Sequence, residues 1–129
     1  MAVIDASVLV AAAVDGGAAG RWAEEVIRGG DIAAPHLVLV EAGNILRRLE
    51  GAGRIERLEA TSAFRDLVRL DIALFPFAPF ADRIWELRNN LTGYDAWYVA
   101  VAEALDLPFA TLDERLSRAP GPTCEFVTP

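Results

Sequence analysis

Short apolar segments alternate with helical segments along the whole sequence, and this alternation limits the possible folds more than any other feature. The segments "AVID", "DIAAP", "DIALFPF", "LPFATL" and "CEFV" have the length and composition of buried strands. Between them lie segments with helical periodicity, including residues 36–50, 54–70, 80–91 and 94–106. Strands that alternate with helices predict a parallel sheet covered on both faces. We therefore expect one α/β domain over residues 1–129, an α/β/α sandwich.

Charge and residue usage exclude several classes of protein. The formal net charge of −7 argues against non-specific attraction to nucleic acid, which normally requires a basic patch. All 12 basic residues are arginines, so no mechanism that needs a lysine is open to this chain. Cys124 is the only cysteine, which excludes an internal disulfide and a cysteine-based zinc cluster. No apolar run approaches the ~18 residues of a membrane span, and the start "MAVIDASVLVAAAV" lacks a basic region. We expect a cytoplasmic protein without membrane contact.

Acidic residues stand at several predicted helix starts, where each has an ordinary structural explanation. Asp5 could cap the helix after the first strand, and Thr111 with Glu114 fits a capping box. Thr92 with Asp95 is a looser version of that pattern. Negative charge in a helix's first turn is favourable by about 0.3–1 kcal/mol, so such caps are common. The carboxylates taken singly therefore do not indicate a function.

Taken together, the acidic positions favour a cation site. Asp5 and Asp113 both follow apolar strands, and the carboxyl ends of parallel strands lie on one edge of the sheet, where ligands bind. Asp95 opens a helix that is apolar on nearly every face. Glu41 is expected in the second helical turn after residue 36, half-buried at the edge of the apolar stripe, with Arg48 as an ordinary partner. Carboxylates that converge repel one another unless a cation neutralises them, and oxygen ligands suit Mg²⁺ or Mn²⁺.

The motifs that carry these residues resemble a known family. "VIDASVLV" is similar to the first motif of PIN-domain ribonucleases, specifically the VapC-type toxins of bacterial toxin–antitoxin modules. "PHLVLVEAGNILRR" resembles the second motif, which carries the glutamate, and "YDAWYVAVAEALDLPFATLDERL" resembles the third and fourth. The last stretch is the most specific, and the resemblance covers residues 2–127.

This resemblance implies a site, a reaction and partners. It places Asp5, Glu41, Asp95 and Asp113 in an acidic site, with Ser7 and Thr111 as polar support. It implies a five-stranded parallel sheet in the order 3-2-1-4-5, a homodimer and a cognate VapB-type antitoxin. The implied reaction is hydrolysis of RNA phosphodiester bonds. Asp5, Asp95 and Asp113 would hold Mg²⁺ or Mn²⁺, and Glu41 would bind a second ion or orient the attacking water.

Other residues near these motifs receive lesser roles. Arg47 and Arg48 are candidates for contacts with RNA, although ordinary solvated arginines on a helix surface are the alternative. The three tryptophans are expected in the core or at a dimer interface rather than under RNA bases: Trp22, Trp85 and Trp97.

Three alternative functions make different demands on the sequence. A haloacid-dehalogenase-type phosphatase needs a second aspartate two residues after Asp5, where this chain has Ser7. A phospho-receiver domain needs a lysine near the end of the chain, and there is none. A non-catalytic PIN-fold scaffold that binds a protein partner remains open, because helix caps alone would explain its carboxylates. Metal binding would distinguish this scaffold from the nuclease.

Overall fold

The central feature of the molecule is a five-stranded parallel sheet. The computed structural model describes residues 1–129, and its strands are β1 (Ala2–Ile4), β2 (Ile32–Pro35), β3 (Ile72–Phe75), β4 (Phe109–Ala110) and β5 (Phe126–Val127). Their order is β3-β2-β1-β4-β5, and every neighbouring pair is parallel. The strand order implied by the family resemblance is therefore confirmed.

Helices cover both faces of this sheet, as the alternation predicts. They are α1 (Ala6–Val14), α2 (Ala18–Arg28), α3 (Val38–Gly51), α4 (Arg57–Arg69), α5 (Ala81–Glu86), α6 (Gly93–Leu105) and α7 (Glu114–Ser117), with a short 3-10 turn at Ala78–Phe80. The α1 helix packs against α2, α3 and α4, whereas α6 packs against β1, β2 and α5. The three-layer α/β/α architecture is confirmed.

The core lies where β1, β2 and β4 meet α1 and α6. Val3, Ile4 and Phe109 are fully buried in the strands, and α6 buries six consecutive or nearly consecutive residues from Ala96 to Ala102. The many alanines of α6 allow this helix to approach the sheet closely, whereas α1 packs mainly against neighbouring helices. Neither of them, nor any other helix, combines the length and the apolar character that crossing a membrane would require. Trp22 and Trp97 pack against the core as expected, but Trp85 is 66% exposed on α5 and is not a core residue.

Three element boundaries differ from the sequence-based expectation. The α3 helix begins at Val38 rather than at residue 36, because the backbone N–H of His36 donates to the Phe75 carbonyl (3.0 Å) and extends the pairing of β2 with β3. The α5 helix ends at Glu86, although the sequence predicted a helix as far as residue 91. There the backbone N–H of Leu87 is shared between the carbonyls of Arg83 and Ile84, which tightens the last turn. The N-cap of α7 is Asp113, so the capping box expected at Thr111 does not form.

Candidate active site at the carboxyl edge of the sheet

Asp5 occupies the centre of the carboxyl edge, directly after β1. Its Oδ1 atom accepts hydrogen bonds from the Ser7 hydroxyl (2.5 Å) and from the backbone N–H of Val8 (3.2 Å), which caps α1. Its Oδ2 atom accepts from the Thr111 hydroxyl (2.5 Å). Burial raises the pKa of Asp5, and the hydrogen bonds from the two hydroxyls and the backbone oppose that rise. Donors from the segment after β1 and from the segment after β4 therefore hold the carboxylate in one orientation.

Ser7 and Thr111 connect the segment after β1 to the segment after β4. Thr111 is fully buried, and its hydroxyl oxygen also accepts from the backbone N–H of Asp113 (3.0 Å). The Ser7 hydroxyl oxygen accepts a longer hydrogen bond from the N–H of Leu112 (3.4 Å). The two residues expected to support the acidic site thus orient Asp5 and, at the same time, position the loop that carries Asp113.

Glu41 reaches the same edge from α3. Because α3 begins at Val38, Glu41 lies in the first helical turn and not in the second, where the helix dipole favours negative charge. Its Oε1 atom accepts a hydrogen bond from the Tyr98 hydroxyl (2.6 Å). Burial raises the pKa of Glu41, and repulsion from Asp95 and Asp5 raises it further. The expected half-buried position is confirmed, but Arg48 forms no ion pair with it.

Tyr98 is a site residue that the sequence analysis missed. It is 2% exposed, and its ring stacks on Phe109 of β4 with the centroids 5.7 Å apart. Burial and the bond to Glu41 raise the pKa of its hydroxyl, so the hydroxyl remains a donor. The available signal was its position three residues after Asp95 in "YDAWY", which places both side chains on one face of α6.

Asp95 and Asp113 complete the acidic group from α6 and from the loop before α7. Asp95 is the third residue of α6, and its backbone N–H donates to the Thr92 hydroxyl (3.2 Å), which caps the helix. Burial and repulsion from Asp113 and Asp5 raise the pKa of Asp95. The Asp113 Oδ1 atom accepts from the N–H groups of Arg115 (3.0 Å) and Leu116 (3.1 Å). Asp5 and Asp113 are thus helix caps as well as candidate site residues.

Two neighbouring cavities open between these side chains. The larger, of about 360 Å³, is lined by Asp5, Glu41, Asp95, Tyr94, Asn44 and Arg48 among others. The second, of about 300 Å³, contains Asp113 and shares Asp95 with the first. The structure therefore brings three of the four expected carboxylates into one cavity and places the fourth next to it. Arg48 is the only basic side chain in the first cavity, whereas Arg47 is exposed on α3 and does not line it.

The donor atoms suit a hard cation, although their positions do not form a coordination shell. Every candidate ligand is a carboxylate or hydroxyl oxygen, the kind of donor that Mg²⁺ and Mn²⁺ prefer. Mutual repulsion among Asp5, Glu41 and Asp95 also favours a positive ion between them. However, no three acidic, histidine or cysteine side chains form a ready metal-binding group in this structure.

Comparison with known proteins shows the relationship of the whole chain. Residues 2–122 match the PIN domain family. The chain is 40% identical over 129 residues to Ribonuclease VapC1 of Mycobacterium tuberculosis, and the match covers 95% of this chain and 97% of that protein. Among solved structures, PAE2754 of Pyrobaculum aerophilum is similar with a TM-score of 0.66 and 28% identity, over 89% of this chain and 76% of that one.

A second solved structure has the same fold at lower sequence identity. VapC20 of Mycobacterium tuberculosis, a toxin that cleaves the sarcin-ricin loop, is similar with a TM-score of 0.68 and 20% identity, over 91% of this chain and 93% of that one. The match to the PIN family spans nearly all of the chain, and the match to VapC1 is nearly as long as both proteins. The chain therefore belongs to the PIN domain family and, within it, to the VapC ribonucleases.

Proposed function

We propose that the protein is a metal-dependent endoribonuclease that hydrolyses RNA phosphodiester bonds. The observation that carries this proposal is the convergence of Asp5, Glu41 and Asp95 in one cavity at the carboxyl edge of the sheet, with Asp113 adjacent. The similarity to a protein named as a ribonuclease, which extends over nearly the full length of both chains, supports the same reaction. A cation also explains how a chain with a net charge of −7 acts on an anionic polymer, because the ion reverses the local charge.

Asp5, Asp95 and Asp113 would hold Mg²⁺ or Mn²⁺. When bound, such an ion would supply Lewis-acid chemistry, polarising the scissile phosphate and lowering the pKa of a water molecule. Within the chain, Ser7 and Thr111 hold the Asp5 carboxylate in place and favour its charged form by hydrogen bonding. Side chains oriented in this way need little rearrangement when the substrate arrives.

Glu41 would orient the attacking water. Its Oε1 atom is occupied by the Tyr98 hydroxyl, and no hydrogen bond from the protein to Oε2 is present. The side chain lines the cavity, so its second oxygen is available to accept a hydrogen bond from water. Tyr98 fixes the rotamer of Glu41 from the buried side. The aromatic stack on Phe109 holds Tyr98 itself.

Cleavage of an RNA pool tests the assignment. We expect products with Mn²⁺, none with excess EDTA, and loss of cleavage by at least about a hundredfold in Asp5→Asn or Asp95→Asn, because each change removes a ligand charge. Asp71→Asn, at an exposed aspartate outside both cavities, is the matched control and should cleave normally. Undiminished cleavage in EDTA, or in either site variant, would refute the proposed mechanism.

As a member of the VapC group, the protein would act as a toxin and form a homodimer restrained by a VapB-type antitoxin. An antitoxin segment carrying arginine would suit the acidic cavity, because a guanidinium can bridge two carboxylates.

Expression alone should arrest growth, and co-expression with the adjacent small reading frame should restore growth and yield an inactive complex. A protein that binds partners but neither Mn²⁺ nor RNA would instead be the non-catalytic scaffold.

A further inference from the structure

A third cavity, lined by apolar residues and adjacent to the acidic one, has no role in the proposed chemistry. It measures about 270 Å³ and is lined by Leu37, Phe77, Gly93, Tyr94 and Trp97. Tyr94 lines both this cavity and the acidic cavity. The two cavities are therefore neighbours separated by one tyrosine side chain. We call the apolar one the aromatic cavity.

The aromatic cavity lies on the same edge of the sheet as the carboxylates. Leu37 follows β2, Phe77 follows β3, and Gly93 begins the helix that carries Asp95. The rings are accessible from outside, since Tyr94 is 65% exposed and Phe77 is 48% exposed. A nucleotide next to a phosphate bound at the carboxylates therefore lies within reach of these rings.

The walls of the aromatic cavity are formed largely by aromatic rings, and one of these rings carries an unpaired nitrogen. Phe77 and Trp97 meet edge to face, with their ring centroids 5.4 Å apart and an angle of 85° between the ring planes. The indole Nε1 of Trp97 is buried without a hydrogen-bond partner, the one side-chain nitrogen or oxygen atom of the molecule in that state. Such groups are rare in folded proteins.

Charge explains why an RNA-binding surface on this protein should be aromatic. The net charge of −7 and the carboxylates of the acidic cavity repel phosphate groups outside the immediate metal site. Stacking of a base on an aromatic side chain requires no positive charge and contributes about 1–3 kcal/mol per base. The aromatic cavity contains no charged residue, so it offers this interaction without added repulsion.

We propose that the aromatic cavity is a nucleobase subsite for the RNA substrate of the proposed ribonuclease. An unpaired base flanking the scissile phosphate stacks on Tyr94 and enters the space bounded by Leu37, Phe77 and Trp97. The base must be unpaired and unstacked from its neighbours, because only then is its face free to contact the ring. The subsite selects single-stranded or looped RNA over a continuous duplex.

Binding to RNA with and without bases tests this subsite. In the Asp5→Asn background, which prevents cleavage, short fluorescent oligouridylate and oligoadenylate are compared with an abasic ribose-phosphate oligomer of equal length, all with Mg²⁺. We expect Tyr94→Ala to weaken binding of the base-containing strands by about tenfold and to leave binding of the abasic strand unchanged. Tyr94→Phe, which keeps the ring, should bind as the parent does.

A matched control and a second variant make the result specific. Trp85→Ala removes an equally exposed aromatic ring that lines neither cavity and should change nothing. Phe77→Ala should weaken base-dependent binding as Tyr94→Ala does. Equal losses on abasic and base-containing strands, or no loss in either variant, would overturn the subsite. A change in the dimer content measured by sedimentation, with RNA affinity unchanged, would also overturn it and assign the cavity to contacts between copies.

Failure of the subsite and failure of the ribonuclease assignment are distinguishable. Cleavage by the unmodified protein with Mn²⁺ reports on the proposed function alone. If cleavage occurs and Tyr94→Ala retains normal affinity for bases, the nuclease stands and the subsite is rejected. If the unmodified protein cleaves no RNA yet Tyr94→Ala loses base-dependent binding, the subsite is supported and the nuclease is rejected.

Discussion

Thr111 shows how one side chain can serve folding and the candidate site together. Its hydroxyl donates to the Asp5 carboxylate and accepts from the Asp113 backbone, so it contacts residues from both ends of the sequence. Thr111 itself is fully buried, so removal of its hydroxyl deprives both the Asp5 carboxylate and the Asp113 N–H of this partner. The loss of such a buried partner leaves unsatisfied polar groups, and that cost exceeds the value of the hydrogen bond itself.

We predict that Thr111→Val lowers the free energy of unfolding by about 2 kcal/mol. Valine has nearly the same shape, so packing is retained and the lost hydroxyl accounts for the change. Cleavage should fall as well, since the Asp5 carboxylate loses its orientation and part of its preference for the charged form. Urea unfolding and cleavage rates measure both effects. Thr111→Ser, which keeps the hydroxyl, should retain most of the activity, and equal damage from the two substitutions would contradict the prediction.

At the same scale, the sequence predicted the acidic residues better than their neighbours. Asp5 and Asp113 follow strands, Asp95 opens a helix, and Glu41 lies at the edge of an apolar helical stripe. The family resemblance assigned all four to one site. Tyr98 was missed because its role depends on the spatial approach of α3 to α6, which no local pattern encodes. Local patterns identify side chains and their periodicity, whereas a bond between residues 57 positions apart depends on the completed fold.

At the scale of elements, the boundaries show what periodicity can and cannot predict. The existence of each strand and helix follows from apolar runs and 3.6-residue spacing. Their ends depend on competing hydrogen bonds. The backbone N–H of His36 bonds to β3, so α3 begins two residues later than expected. Glu41 therefore lies in the first turn of α3. The pattern of 80–91 suggested one helix because Leu87 and Leu91 still face the core after α5 has ended.

The connection between α1 and α2 makes a specific demand on one glycine. A Cβ atom on Gly20 would lie 1.8 Å from the backbone carbonyl oxygen of Asp15, far inside van der Waals contact. We predict that Gly20→Ala destabilises the protein by at least about 2 kcal/mol, because two backbone segments must move apart. Gly16→Ala is the control, since a Cβ there meets nothing within 4 Å. Similar unfolding midpoints in urea for the two variants would show that the close approach is unimportant.

For the whole molecule, the acidic site makes stability depend on pH in an unusual direction. Burial raises the pKa of Asp5, Glu41 and Asp95 in the folded state, and for the latter two repulsion between carboxylates adds to the rise. Between the ordinary pKa of such a group and its raised value, the folded protein binds more protons than the unfolded chain. Protonation in that range therefore favours folding, and stability falls as pH rises through the raised pKa.

We predict that the metal-free protein becomes more stable when the pH is lowered from neutral toward the ordinary pKa of aspartate and glutamate side chains. Urea unfolding midpoints at intermediate pH values measure the trend. Asp95→Asn should flatten it by removing one of the strained carboxylates, whereas Asp71→Asn, which removes an equal charge from an exposed position, should not. A midpoint that falls steadily over this range would contradict the account.

At lower pH, the trend should reverse. The pKa of Glu103 is lowered by its hydrogen bonds to Arg83 and Thr123, although burial opposes them. The stability from these contacts is present above the ordinary pKa of a glutamate and is lost as pH falls through the lowered value. The maximum of stability should therefore lie between the lowered pKa of Glu103 and the raised pKa values of the site carboxylates.

The hydrogen bond between Asp5 and Thr111 has a consequence for synthesis of the protein in the cell. During translation, Asp5 is synthesised early, and Thr111 is added 106 residues later. Until the later segment has emerged, the nascent chain lacks the partner that orients Asp5 and also lacks Asp113. Under the proposed mechanism, a half-made copy cannot degrade RNA, including the messenger from which it is being translated. Under that mechanism, the cell is exposed to the active enzyme only after translation has passed this point.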